Sequence, residues 1–168
     1  MLSHNKWLSV LLIGFILHIN NVNAQDINIQ GTVIPGACNV TPSEQTFAFE
    51  DLYTGNMDEA GTASQWVNFT VTLTDCPAAT QKVLMKFSGT PSAQDSTYFA
   101  NAKDALNVVL QLTDPTHEVN YSNGSVVQTN VDTSHNATYP LAARIYSPLG
   151  HGGSGDFESI ILLDFTYQ

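Results

Sequence analysis

Positive charge is scarce in this sequence: five Lys and Arg residues stand against fifteen Asp and Glu, a formal net charge of −10 at pH 7 over 168 residues. Such a balance repels phosphate backbones and anionic lipid, which argues against nucleic-acid partners and membrane-surface binding. Long apolar runs are also missing. A membrane-spanning helix needs about 20 apolar residues, and the run from Trp7 to Leu17 is too short. Cysteine is down to two residues, Cys38 and Cys76, with no Cys-x-x-Cys and no close His. That argues against a structural zinc set and a dithiol redox pair. No nucleophile motif stands out, and no stretch carries a long helical stripe.

The short apolar run reads as an address. Lys6 precedes it, a polar stretch follows, and that stretch ends in Val22-Asn23-Ala24. A basic start, a hydrophobic centre and small residues at −3 and −1 predict a secretory signal peptide over 1–24. The remaining residues make one ordinary domain with enough core to fold. In an exported chain two cysteines imply a disulfide. Closing the Cys38–Cys76 loop adds roughly 3–4 kcal/mol by restricting the unfolded chain.

The dominant period along that domain is two. Val67-Phe69-Val71-Leu73 alternates with Asn68, Thr70 and Thr72, and Val83-Met85-Phe87 repeats the pattern around Lys86. Leu106-Val108-Leu110-Leu112 and Tyr139-Leu141-Ala143-Ile145 do the same. Successive side chains of a strand point to opposite faces, so each run predicts a strand with one face in a core. Turn-rich stretches at 54–64, 89–96, 120–124 and 147–155 separate them. The expectation is an all-β sandwich of the immunoglobulin-like type. Strict alternation after Leu73 would send Cys76 to the polar face, which predicts a bend or bulge near Asp75.

The two ends carry the most specific patterns. Ile27, Ile29, Gly31 and Val33 alternate with Asn28, Gln30 and Thr32. Phe157, Ser159, Ile161, Leu163, Phe165 and Tyr167 share one face of a last strand that stops at Gln168. A long apolar strand left at a sheet edge recruits other chains unless it is covered.

Gly155 through Gln168, with a glycine fourteenth from the end, alternating apolar residues and a penultimate tyrosine, resembles the carboxyl-terminal motif of chaperone–usher pilus subunits. The stretch Ile27-Asn28-Ile29-Gln30-Gly31-Thr32-Val33, with Gly31 seven positions before Cys38, resembles the donor extension of type 1 fimbrial subunits. The resemblance implies an incomplete immunoglobulin-like sandwich lacking its last strand and completed by a donor strand from another subunit. It implies a signal peptide at 1–24, a donor-strand extension at 25–34 and a pilin domain at 35–168. Ile27, Ile29, Gly31 and Val33 would then be the donor residues. Gly155, Phe157, Ile161, Leu163, Phe165, Tyr167 and Gln168 would form the acceptor groove and contact a periplasmic chaperone. The implied partners are other pilus subunits joined head to tail, that chaperone and an outer-membrane usher. The implied destination, through the periplasm, is the cell-surface fimbria.

The other motifs are weaker. Gly150-His151-Gly152-Gly153-Ser154-Gly155 matches a dinucleotide loop by pattern, but that loop must open a helix, and here a strand follows. His117, His135 and His151 read as solvated loop residues without further ligands, so neither a metal nor a cofactor is expected. Asp132, Ser134 and His135 are triad residue types, yet adjacency in sequence is not triad geometry, and no catalytic residue is expected. The competing function is a stand-alone secreted immunoglobulin-like binding module. Antibody-type domains place their cysteines on the second and sixth strands around a core tryptophan. Here both cysteines fall in the first half, and Trp66 precedes the second.

Overall fold

A chain whose apolar residues recur at every second position buries them by pairing strands into sheets. The computed structural model of the protein, which describes residues 30, 36–50 and 52–168, does so with ten strands. In chain order they are β1 (Asn39–Val40), β2 (Thr62–Ala63), β3 (Val67–Thr74), β4 (Lys82–Gly89) and β5 (Phe99–Ala100). Then come β6 (Val109–Thr113), β7 (Asn120–Tyr121), β8 (Val126–Asn130), β9 (Ala137–Ser147) and β10 (Ile161–Tyr167). A 3-10 turn at Thr54–Asn56 is the one helical element among the described residues.

The strands form two antiparallel sheets. The larger runs β1-β3-β9-β6-β5, with β2 added to β9 and β7 to β6; the smaller runs β10-β4-β8. Their inner faces share one core. β3 contributes Val71 and Leu73, β6 Leu110 and Leu112, β9 Tyr139, Leu141 and Ala143, and β4 Val83, Met85 and Phe87. The Tyr139 hydroxyl crosses between the sheets and donates to the Val83 carbonyl at 2.7 Å. Burial pushes that phenol well above its ordinary pKa, so it stays a neutral donor. The architecture is an incomplete immunoglobulin-like sandwich.

Most of the period-two runs became strands in the expected register. The bend near Asp75 is real: Asp75 has φ 52°, which lets Leu73 and Cys76 both face inward. Cys76 bonds to Cys38, their Cα atoms 4.2 Å apart, where β1 pairs with the end of β3. Two runs need correction: the last strand begins only at Ile161, so Phe157 and Ser159 precede it on an approach tied to the 101–105 loop, and the run from Leu106 is shortened as well. Leu106 does not begin a strand; it is 67% exposed, and β6 starts only at Val109. The cause is Asn107, whose φ of 56° turns the chain out of extended geometry between them. The stretch at 120–124 likewise contains the short strand β7 before its turn.

Tyr139→Phe tests the link between the sheets. Removing the hydroxyl strips the Val83 carbonyl of one partner, and the loss expected is about 1 kcal/mol. In urea unfolding the midpoint should fall while the slope stays unchanged.

Candidate functional site

The strand β10 occupies one edge of the smaller sheet. It pairs with β4 along its whole length, from Ile161 opposite Gly89 to Tyr167 opposite Val83. Gln168 extends the pairing: its N–H donates to the Lys82 carbonyl, and its own oxygen accepts from the Gln81 and Lys82 N–H groups. Along the second edge of β10 no strand pairs with it among the described residues.

Burial changes sharply between these neighbours. On β4, Val83, Met85 and Phe87 are fully buried. Directly across, Tyr167, Phe165 and Leu163 point into the same core yet remain partly exposed, as do Ile161 and Phe157. The core is therefore open along β10. On the opposite face Leu162 is exposed, and Asp164 accepts a hydrogen bond from the Ser88 hydroxyl at 3.1 Å.

A coil forms the second wall. After β1 the chain runs without strand structure through residues 41–50. Phe47 packs on Phe69 of β3 with ring centres 4.3 Å apart, and Phe49 meets Phe157 edge-on at 6.1 Å. Between this coil and the approach to β10 lies a cavity of about 500 Å³, walled by Phe49, Leu52, Met57, Val108, Ile145 and Phe157. Sequence reasoning missed this wall. The alternation of Phe47 and Phe49 was a signal, but two residues are too few to mark a strand.

The glycine-rich segment before β10 is a strap fastened on both sides. His151 and Gly152 donate their N–H groups to the Asp58 and Met57 carbonyls, and Gly153 donates to Leu106. Those donors are spent within the protein rather than displayed to a phosphate. Gly155 ends the strap with φ 141°, and a Cβ there would sit 2.6 Å from the Ala105 nitrogen. Gly150 is similarly confined at φ 73°, with the Asp58 carbonyl 2.5 Å from a Cβ. Beyond Gly155, Asp156 and Glu158 are tied to the loop at 101–105: Asp156 N–H donates to Asp104 Oδ1, Glu158 N–H donates to Asn101 Oδ1, and Lys103 pairs with Glu158 at 3.0 Å. A motif glycine is needed here because the chain must pass flush against this loop before it enters the sheet.

The structure thus brings Phe157, Ile161, Leu163, Phe165 and Tyr167 onto one open apolar face, with Gly155 and Gln168 bounding it. Ile27, Ile29, Gly31 and Val33 lie outside the described residues. His135 and His151 are exposed, the latter with Nδ1 3.4 Å from Asp58. His117 is likewise an exposed loop residue, and its ring also stacks on Trp66.

An open core beside an edge strand finds its context in related chains. A family model described as fimbrial protein matches residues 27–168. The chain belongs to the fimbrial protein family. Among its relatives from Escherichia coli K12, it is 33% identical over 143 residues to the uncharacterized fimbrial-like protein YdeR and 34% identical over 144 residues to protein FimG. Each alignment covers 84% of this chain and 84% of the relative. The S-fimbrial adhesin protein SfaS of the uropathogenic Escherichia coli strain 536 is 34% identical over 142 residues, with 84% and 83% covered. Among solved structures, the P pilus rod subunit PapA shares the fold with a TM-score of 0.66 at 18% identity, covering 78% of this chain and 99% of that one. A subunit in a chaperone–usher pilus structure gives 0.64 at 18% identity, covering 88% and 97%. This fimbrial chain is a pilus subunit with the fold those structures share.

The strap provides a direct test of how the open face is built. Gly155→Ala forces a Cβ into the Ala105 nitrogen at a backbone angle that side chains rarely adopt, so the fold should lose about 1–3 kcal/mol. Thermal unfolding should show that loss, and amide exchange should be raised first at Asp156–Glu158. An unchanged melting temperature would mean that the strap can move aside.

Proposed function

We propose that this chain is a structural, non-enzymatic subunit of a bacterial surface fimbria, joined head to tail to its neighbours by strand exchange. The segment at 25–34 of one copy fills the open face beside β10 of the next. One observation carries the reading: Leu163, Phe165 and Tyr167 are core-facing yet partly exposed, opposite β4 residues that are fully buried. Such an edge offers what strand addition uses: partly exposed core-facing side chains, and a strand edge with which no further strand pairs among the described residues. The donor has the matching pattern in Ile27, Ile29 and Val33, each worth about 1.5–3 kcal/mol when fully buried. Because donor and acceptor are different surfaces, each joined pair leaves one of each free, and the contact propagates into an open filament.

Before assembly the same face would be exposed and prone to aggregation. A periplasmic chaperone that lends a temporary strand, and an outer-membrane usher that exchanges it for the next subunit, supply the protection and the order of assembly. Two similar proteins are named as adhesins, SfaS and a tip adhesin from Pseudomonas aeruginosa, which supports a fibre that serves adhesion.

Ile29→Asp separates the two roles of the chain. A carboxylate buried without a partner costs several kcal/mol, so the variant should fail to enter the next subunit. Its own β10 face is untouched, and chaperone capture should persist. Co-purification with the chaperone and incorporation into fibres are the two measurements. Joint loss of both would place residues 25–34 in the core of their own domain and end the strand-exchange reading. In a complementary assay, a peptide of residues 25–34 should raise the melting temperature of a subunit whose own extension has been deleted.

A further inference from the structure

The outer face of the larger sheet, away from β10, carries an aromatic cluster built around an arginine. Arg144 on β9 is the one arginine in the chain. It stands directly opposite Gln111 on β6 and donates from Nε to Gln111 Oε1 at 2.8 Å. Its guanidinium carbon lies 4.3 Å from the centre of the Trp66 ring and 5.4 Å from that of Tyr146. Tyr98 packs on Tyr146 with centres 5.1 Å apart, and His117 stacks on Trp66 at 4.0 Å with planes 4° apart.

This cluster is held in place by a loop. The Asp114 carboxylate accepts main-chain N–H groups from Thr116, Glu118 and Val119 as well as the Thr116 hydroxyl. Those bonds close the loop that presents His117, itself at φ 63°, to the indole. They also engage both carboxylate oxygens of Asp114 within its own loop.

Arg144 is left in an unusual position for so acidic a protein. It is partly buried, and that burial works against its charge. Among the described residues, carboxylates lie within salt-bridge distance of Lys103 (Glu158) and of His151 (Asp58), and none lies so near Arg144. Aromatic rings replace only part of the lost hydration. With Nε engaged by Gln111, the outer N–H donors of a planar fork remain, a geometry that matches a carboxylate.

We propose that Arg144, with Tyr98 and Tyr146, forms a binding site for the carboxylate of a small molecule, either a free organic acid or a sugar acid. The guanidinium takes the carboxylate oxygens, and the two tyrosine rings pack against the body of the ligand. Stacking on Trp66 is not the means of recognition, because His117 and Arg144 already cover that ring. A second copy of this chain fits poorly. Asp95 lies three residues before Tyr98, and Asp114 and Glu118 lie on either side of His117, so the broad contact of a chain with net charge −10 would meet like charge, whereas a small monoanion meets the Arg144 donors alone. A stable protein contact also needs about 800 Å² per partner, far more than one cation and a few rings provide.

The test is titration of the full chain with glucuronate and with benzoate, using glucose and sodium chloride as controls. Calorimetry and the indole N–H resonance of Trp66 are the readouts. At least one acid should bind saturably, with glucuronate or benzoate preference assigning the source, and glucose should not bind. Arg144→Gln should weaken binding by about tenfold or more, the loss of a charge-assisted pair. Arg144→Lys keeps the charge without the fork and should fall between. This variant also serves if the glutamine variant folds poorly. Failure of both acids to bind would overturn the proposal, as would equal response to glucose or chloride, or affinity unchanged in Arg144→Gln. Self-association that depends on Arg144 without any acid binding would also overturn it, and would make the cluster a contact between copies.

Discussion

Among the described residues β10 pairs on one side only, with β4, and the open face of the sandwich follows from that pairing. The seven residue pairs from Ile161–Gly89 to Tyr167–Val83 hold the strand in register, and Gln168 locks its end to Gln81 and Lys82. Because a strand's side chains alternate, this register sends Leu163, Phe165 and Tyr167 inward beside Phe87, Met85 and Val83. A further strand on the outer edge would cover them. Without one among the described residues, apolar side chains and backbone groups stay accessible together, and that combination makes an edge adhesive.

The rest of the sandwich must tolerate this opening. The Cys38–Cys76 bond closes one end of the larger sheet, and the Tyr139 hydroxyl ties that sheet to β4 through the core. At the other end, the strap and the 101–105 loop fix where the chain enters β10. A preformed groove spends less binding energy on ordering itself when a strand arrives.

The two surfaces described here are physically unlike. The face beside β10 is apolar and long, suited to a strand. The Arg144 cluster is compact and polar at its centre, and it lies on the outer side of the opposite sheet. A strand seated beside β10 and a carboxylate seated on Arg144 would therefore lie on different sheets.

The sequence by itself determined the strands of the core, because the period of two in Val67–Leu73, Val83–Phe87 and Tyr139–Ile145 allows few other ways to bury those side chains. It also determined the inner face of β10 and the bend at Asp75, both read from alternation and its interruption. Tertiary structure alone decided features that depend on residues distant in the chain. The coil carrying Phe47 and Phe49 becomes a wall only because β3 and Phe157 stand beside it. Leu106 leaves its run because Asn107 adopts a left-handed backbone that alternation cannot reveal. His117 and Trp66 meet because a loop braced by Asp114 reaches over the sheet, and Arg144 joins them through the register of β9 with β6. A repeating pattern reports which way each side chain points, whereas only the packed chain establishes what stands opposite it.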